Sequence, residues 1–151
     1  MPNRLVALSA ALIVSGIALS GCSVIGDLIG GGNNVFELKV GDCINDASVG
    51  DDAVTSVPVV DCSEPHDSEV FYSHIMSQAS YPGTTATTDE ADVACSAAFE
   101  DFIGIPYSDS VLYFSYFYPT ESTWANGDRE VLCMVYDNDG QTTGSLAGSA
   151  R

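Results

Sequence analysis

Residues 87–104 read TTDEADVACSAAFEDFIG, and this stretch decides what kind of fold the chain can build. Ala91, Cys95, Ala98, Phe99 and Phe102 recur at helical spacing and form one apolar stripe. Thr87 and Glu90 fit a capping box at its start, and Asp89 suits the positive end of the helix dipole. Gly104 is a natural stop, and Pro106 prevents the helix from resuming. Cys95 therefore faces the core.

The segments around this helix read as strands. Residues 35–40 (VFELKV) alternate, with Phe36, Leu38 and Val40 on one side and Glu37 and Lys39 on the other, as in a half-buried strand. A polar loop over 45–52 leads to a second strand, 54–60 (VTSVPVV), which Pro58 demotes to an edge or a bulge. Residues 69–75 (EVFYSHI) form a third, and 77–88 are loop with a turn at Pro82-Gly83. Residues 111–118 (VLYFSYFY) are apolar on both faces, as expected of a central strand covered by the helix. Residues 129–136 follow as another strand, Asp137-Asn138-Asp139-Gly140 turns the chain, and 141–148 return as a short edge strand. One main helix among short strands predicts an α+β domain with a small antiparallel sheet.

The start of the chain has a different character. Arg4 precedes a largely apolar run over 5–18, too short and wrongly flanked for a spanning helix, which reads as a signal-peptide core. Leu19-Ser20-Gly21-Cys22 resembles a bacterial lipobox, in which Cys22 carries diacylglycerol and becomes the new N-terminus. Two acyl chains, at about 0.8 kcal/mol per buried methylene, anchor stably where one is marginal. The expected order is a lipoprotein signal peptide over 1–21, a lipidated Cys22 with a glycine-rich tether over 22–34, and one domain over 35–151. A flexible tether of that length spans roughly 20 Å. The membrane is the first expected partner, reached from the extracytoplasmic side.

Cysteine usage agrees with that compartment. Beyond Cys22 the chain holds Cys43, Cys62, Cys95 and Cys133, an even set in a place where disulfides persist. Four cysteines permit three pairings. Cys43–Cys62 with Cys95–Cys133 is favoured because each pair links neighbouring elements. On the chain-entropy model these loops give roughly 3 and 4 kcal/mol.

Four basic residues face 21 acidic ones, and removal of Arg4 with the leader leaves three, a net charge of −18. Such a surface repels nucleic acid and anionic headgroups and attracts divalent cations or basic partners.

Residues 62–71 (CSEPHDSEVF) hold the inventory of a cysteine–histidine nucleophile or a metal site. A nucleophilic cysteine must be a free thiolate, and the even cysteine set leaves none over. A metal reading would recruit Glu64, His66, Asp67 and His74, but no recognised ligand spacing joins them. His66 reads instead as a loop-ordering residue. Asp137–Gly140 fails as a calcium loop, because Val135 and Leu146 fall at its first and twelfth positions. No phosphate loop, nucleophile elbow or dinucleotide fingerprint is present, so no catalytic residue, metal or cofactor is expected. Gly41-Asp42-Cys43 and Gly127-Asp128-Arg129 read as turns that place cysteines. Arg129 is expected to pair with Asp42 or Asp128. The aromatic run near Trp124 reads mainly as core, with a glycan-stacking or protein-docking face as its other use.

Taken in order, Gly41-Asp42-Cys43, the C-x-x-P-H of Cys62–His66, Tyr81-Pro82-Gly83, Cys95, and Gly127-Asp128-Arg129 leading to Cys133 resemble the septum-formation-related domain of bacterial envelope proteins. The resemblance covers about residues 36–148. It implies association with the septum or with envelope biogenesis, and a partner among envelope or division proteins. The function expected is that of a non-catalytic binding module, with a cation-binding surface and an extracytoplasmic hydrolase as its rivals.

Overall fold

The computed structural model describes residues 33–46, 54 and 56–151. The leader, Cys22, the tether up to residue 32, and residues 47–53 and 55 lie outside the described residues. The described elements run β1 (Asn33–Asn34), β2 (Cys43–Ile44), β3 (Ser56–Val57), β4 (Val59–Val60), β5 (Ser68–Ile75), α1 (Thr84–Ile103), β6 (Tyr113–Phe117), α2 (Glu121–Ala125) and β7 (Glu130–Tyr136). Five of the strands form one sheet in the order β4-β2-β5-β7-β6, and β1 pairs with β3 in a small second one. Every pairing is antiparallel. With one main helix and two disulfides, the domain is α+β, as its sequence pattern predicts.

α1 forms because Thr87, Ala91, Cys95, Phe99 and Ile103 step along one face and are all buried. Ala98 and Phe102 pack beside them. The helix begins one turn earlier than expected. Gly83, at φ +94°, is the residue before its first turn, and the capping box does not form. Thr87 lies inside the helix, where its hydroxyl donates to the Gly83 carbonyl at 3.0 Å. Glu90 reaches across to His74 and Gln78 instead. At the other end Gly104 takes the left-handed conformation and donates to the Glu100 carbonyl, which closes the helix as the sequence implies.

The sheet is buried on both faces at its centre. Val131, Cys133 and Val135 of β7 join Phe71 and the helix stripe in one core cluster. Leu132 and Met134 join Val35, Leu38, Ile44, Val57 and Val70 in a second cluster on the opposite face. β7 is thus an interior strand covered on both faces, while the aromatic run expected at the centre supplies β6 at an edge. The phenol hydroxyls explain this exchange, since Tyr113 and Tyr118 remain 43% and 37% exposed.

Two further expectations change. Residues 35–40 are not a strand: Val35–Glu37 form a 3-10 turn, capped by the Asn34 side chain, which accepts from the Phe36 N–H at 3.1 Å. Three residues per turn place Val35 and Leu38 on the same side, in the core, and turn Phe36 outward. Residues 141–148 form no strand either; His66 and Thr142 make a single isolated bridge. The strand holding Pro58 lies at an edge as expected, but it is also split there into β3 and β4, which belong to different sheets.

The two faces give opposite expectations for two phenylalanines. Phe99 is fully buried and Phe36 is 55% exposed. Phe99→Ala should cost about 3–5 kcal/mol in urea unfolding, and Phe36→Ala about 0.5 kcal/mol or less. A large cost at Phe36 would restore the strand reading of residues 35–40.

Candidate functional site

Residues 62–71 are built around a disulfide and a strap. Cys62 is bonded to Cys43 with their Cα atoms 5.2 Å apart, and Cys95 to Cys133 at 5.6 Å. All four cysteines beyond Cys22 are therefore engaged, in the favoured pairing. Asp61 sets the turn: its Oδ1 accepts from the Ser63 N–H and hydroxyl, each at 2.8 Å. Those bonds hold its carboxyl below the usual range.

His66 is wholly buried. Its Nδ1 lies 2.9 Å from the Glu64 carbonyl and its Nε2 3.2 Å from the Thr142 hydroxyl. A carbonyl oxygen only accepts, so Nδ1 carries a hydrogen, and a neutral ring then accepts from Thr142 at Nε2. His66 and Thr142 also exchange two main-chain hydrogen bonds, at 3.0 and 2.9 Å.

Beside it stands Glu69, 2% exposed, which belongs to the inventory of residues 62–71 but is not among the metal ligands weighed there. Its two oxygens accept from the Ser145 hydroxyl and the Leu146 N–H, both at 2.7 Å. The Gly144 N–H donates to the Cys62 carbonyl at 2.6 Å, which adds a further tie. Farther along, the N–H groups of Gly148 and Ala150 donate to the carbonyls of Phe102 and Ile103, among the last of α1. The chemistry-bearing stretch thus holds down the C-terminal segment. The only sequence signal for Glu69 is an acid inside a β-prone run, at a position that must turn inward.

The metal set considered from the sequence does not assemble. His74, on β5, meets Glu90 of α1 at 2.8 Å rather than His66's neighbours. That hydrogen bond, with a second from Gln78, holds the Glu90 carboxyl low. Ligand atoms of Cys43, His66 and Glu69 do lie within 4.8 Å of one another. The sulfur belongs to a disulfide, however, and is no thiolate, while both His66 nitrogens and both Glu69 oxygens have partners.

The two Gly-Asp turns share a glycine with positive φ but use their aspartates differently. Gly41 and Gly127 adopt φ +96° and +97°. Asp42 accepts from the Lys39 N–H at 2.8 Å, and Asp128 from the Glu130 N–H at 3.0 Å. Arg129 departs from expectation, forming an ion pair with neither Asp42 nor Asp128. Its guanidinium lies 3.8 Å over the Trp124 ring and donates to the main-chain carbonyls of Trp124 and Asp128 at 2.8 and 2.6 Å. A planar, weakly hydrated cation stacks well on an indole, and both aspartates already cap turns. Trp124, from α2, is 5% exposed and acts as core.

A cleft of about 490 Å³ is lined by Asp46, Asp67, Ser68, Tyr136, Asp137 and Gln141 among others. Burial pushes the Asp46 carboxyl up, against the hydrogen bond it accepts from Ser68. Next to the cleft, Tyr113 of β6 stacks on Tyr136 with ring centres 6.0 Å apart.

The family model for septum formation matches residues 40–151, which span β2 to the C-terminal segment. The chain belongs to that family. Two curated proteins, each named "Putative lipoprotein LppN", from Mycobacterium tuberculosis and Mycobacterium bovis, are 28% identical to it over 119 residues. The match takes in 77% of this chain but only 63% of each relative's length. No solved structure matches.

A structural role for Glu69 has a direct test. Glu69→Ala leaves one buried N–H and one hydroxyl without their acceptor and should cost about 3 kcal/mol in urea unfolding. Glu69→Gln keeps an acceptor for Leu146 and should cost about half as much. Unchanged stability in both variants would reopen the catalytic or metal reading of residues 62–71.

Proposed function

We propose that this chain is a lipoprotein, anchored through Cys22 to the extracytoplasmic face of the cell membrane, and that its domain serves as a non-catalytic binding module in septum formation. The observation that carries this reading is the engagement of Cys43, Cys62, Cys95 and Cys133 in two disulfides. Such bonds persist outside the cytoplasm, and they leave Cys22, in its Leu-Ser-Gly-Cys setting, as the remaining cysteine for a lipid. The family supports the septal part, and the lipoprotein name carried by the mycobacterial relatives supports the anchor. No helix among the described residues is long and apolar enough to cross a membrane.

The rivals find less support. A hydrolase using Cys62 needs a free thiolate, and that sulfur is held in a disulfide, while His66 is wholly buried away from any substrate. A cation site in the acidic cleft would draw on Asp46, Asp67 and Asp137, but among the described residues these three carboxylates do not converge as a metal-ligand group.

The test is localisation of a fusion to a fluorescent protein that folds outside the cell, compared with Cys22→Ala. The parent should be membrane-bound and enriched at division sites, and Cys22→Ala should be released from the membrane. A uniform membrane signal would remove the septal role, and a Cys22→Ala protein that stays bound would remove the lipid anchor.

A further inference from the structure

The five-stranded sheet ends differently on its two sides. At one edge β4 is two residues long and follows Pro58, which shortens and blunts it. At the other, β6 is five residues, YFSYF, with no proline, glycine or charge. An edge of this kind is a template for another strand.

The register shows which groups it offers. The Met76 N–H bonds the Arg129 carbonyl, while Val70, opposite Met134, gives its own N–H and carbonyl to the segment at Gly41 and Asp42. Along β7, Val131 and Cys133 therefore turn their main chain toward β5, and Leu132, Met134 and Tyr136 turn theirs toward β6. Their partners are Phe117, Ser115 and Tyr113. That leaves the N–H and C=O of Phe114 and Tyr116 pointing away from the sheet. Neither residue's main chain bonds another element among the described residues. Above them Leu112 is closed off by Ser110, whose hydroxyl accepts its N–H at 3.0 Å, and below them Pro119 has no N–H to give.

We propose that β6 accepts an extended, basic segment of a partner protein as a sixth strand of the sheet, through the main chain of Phe114 and Tyr116. Charge selects this occupant. On the helix side, Asp92 and Asp89 of α1 lie within electrostatic reach of the Tyr116 hydroxyl. On the other side, Tyr113 stacks on Tyr136, which lines the cleft with Asp46, Asp67 and Asp137. A strand laid along β6 points alternate side chains at these two acidic borders, so lysines and arginines find carboxylates on both. A second copy of this chain would fit the geometry, pairing Phe114 with Tyr116 about Ser115. It would also bring two strongly acidic surfaces together, each drawn from a chain with 21 acidic and four basic residues. The inference rests on the binding-module reading and names the surface that reading requires.

The test uses the full chain carrying Cys22→Ala, with a short synthetic peptide alternating lysine or arginine with valine as probe. Its counterpart with glutamate at the charged positions is the control. Amide exchange by NMR should slow at Phe114 and Tyr116 with the basic peptide and not with the acidic one. Two variants should each weaken binding about tenfold. Phe114→Pro removes an outward N–H without breaking the β7 ladder, and Ser115→Arg sets a cation in the middle of the edge. The equivalent change on the other edge, Val59→Pro, should leave binding unchanged. Absence of basic-peptide binding, protection that maps away from β6, or a β6-paired dimer in sedimentation without peptide would each overturn the proposal. None of these results bears on whether the protein is enriched at division sites, so the two readings fail separately.

Discussion

The disulfide between Cys95 and Cys133 ties the one main helix to β7 in the interior of the sheet, and both cysteines are completely buried. A domain of this length buries a modest share of its surface, so a covalent tie at the middle of the core adds stability that packing supplies less readily. Phe71, Phe99 and Val131 pack with it in the same cluster. β7 gains from both sides: its even positions face the apolar layer that Val35, Leu38 and Val57 lay over the far face. Once β7 is fixed, β5 and β6 pair to either side of it, and β2 and then β4 follow from β5.

The second disulfide works with polar groups rather than with the aromatic core. Cys43–Cys62 holds β2 against the turn that presents His66, and His66 and Glu69 in turn hold the C-terminal segment. Buried polar groups of this kind are costly unless every one is bonded. Here each histidine nitrogen and each Glu69 oxygen has a partner, which is the arrangement of a structural fastening. The same economy applies at Arg129, whose charge is accommodated by the Trp124 ring and two carbonyls instead of a carboxylate.

Much of this was legible in the residue pattern, and the rest depended on pairing over long range. The helix was readable because Ala91, Cys95 and Phe99 repeat at a period that only a helix satisfies, and Gly104 ends it by a local rule. Residues 35–40 were ambiguous, because an alternating run also contains the three-residue spacing of Val35 and Leu38. The Asn34 side chain decides for the turn. Which of the two apolar runs lies inside the sheet is set by strand order, which neither run encodes; the hydroxyls of Tyr113, Tyr116 and Tyr118 were the available hint. Thr87 and Glu90 match a capping box, yet burial of Thr87 and the pull of His74 on Glu90 take both elsewhere. The role of Glu69 was not legible for a similar reason: its partners lie 76 and 77 residues away.

The central claim is that the domain's four cysteines form two staples and leave Cys22 for the lipid. Mass spectrometry of an unreduced, alkylated digest of the protein extracted from membranes tests it most directly. The account predicts linked peptides joining Cys43 to Cys62 and Cys95 to Cys133, a diacylated N-terminal peptide beginning at Cys22, and no alkylated cysteine. Alkylation at Cys43 or Cys62, a crossed pairing, or an unmodified Cys22 would contradict it.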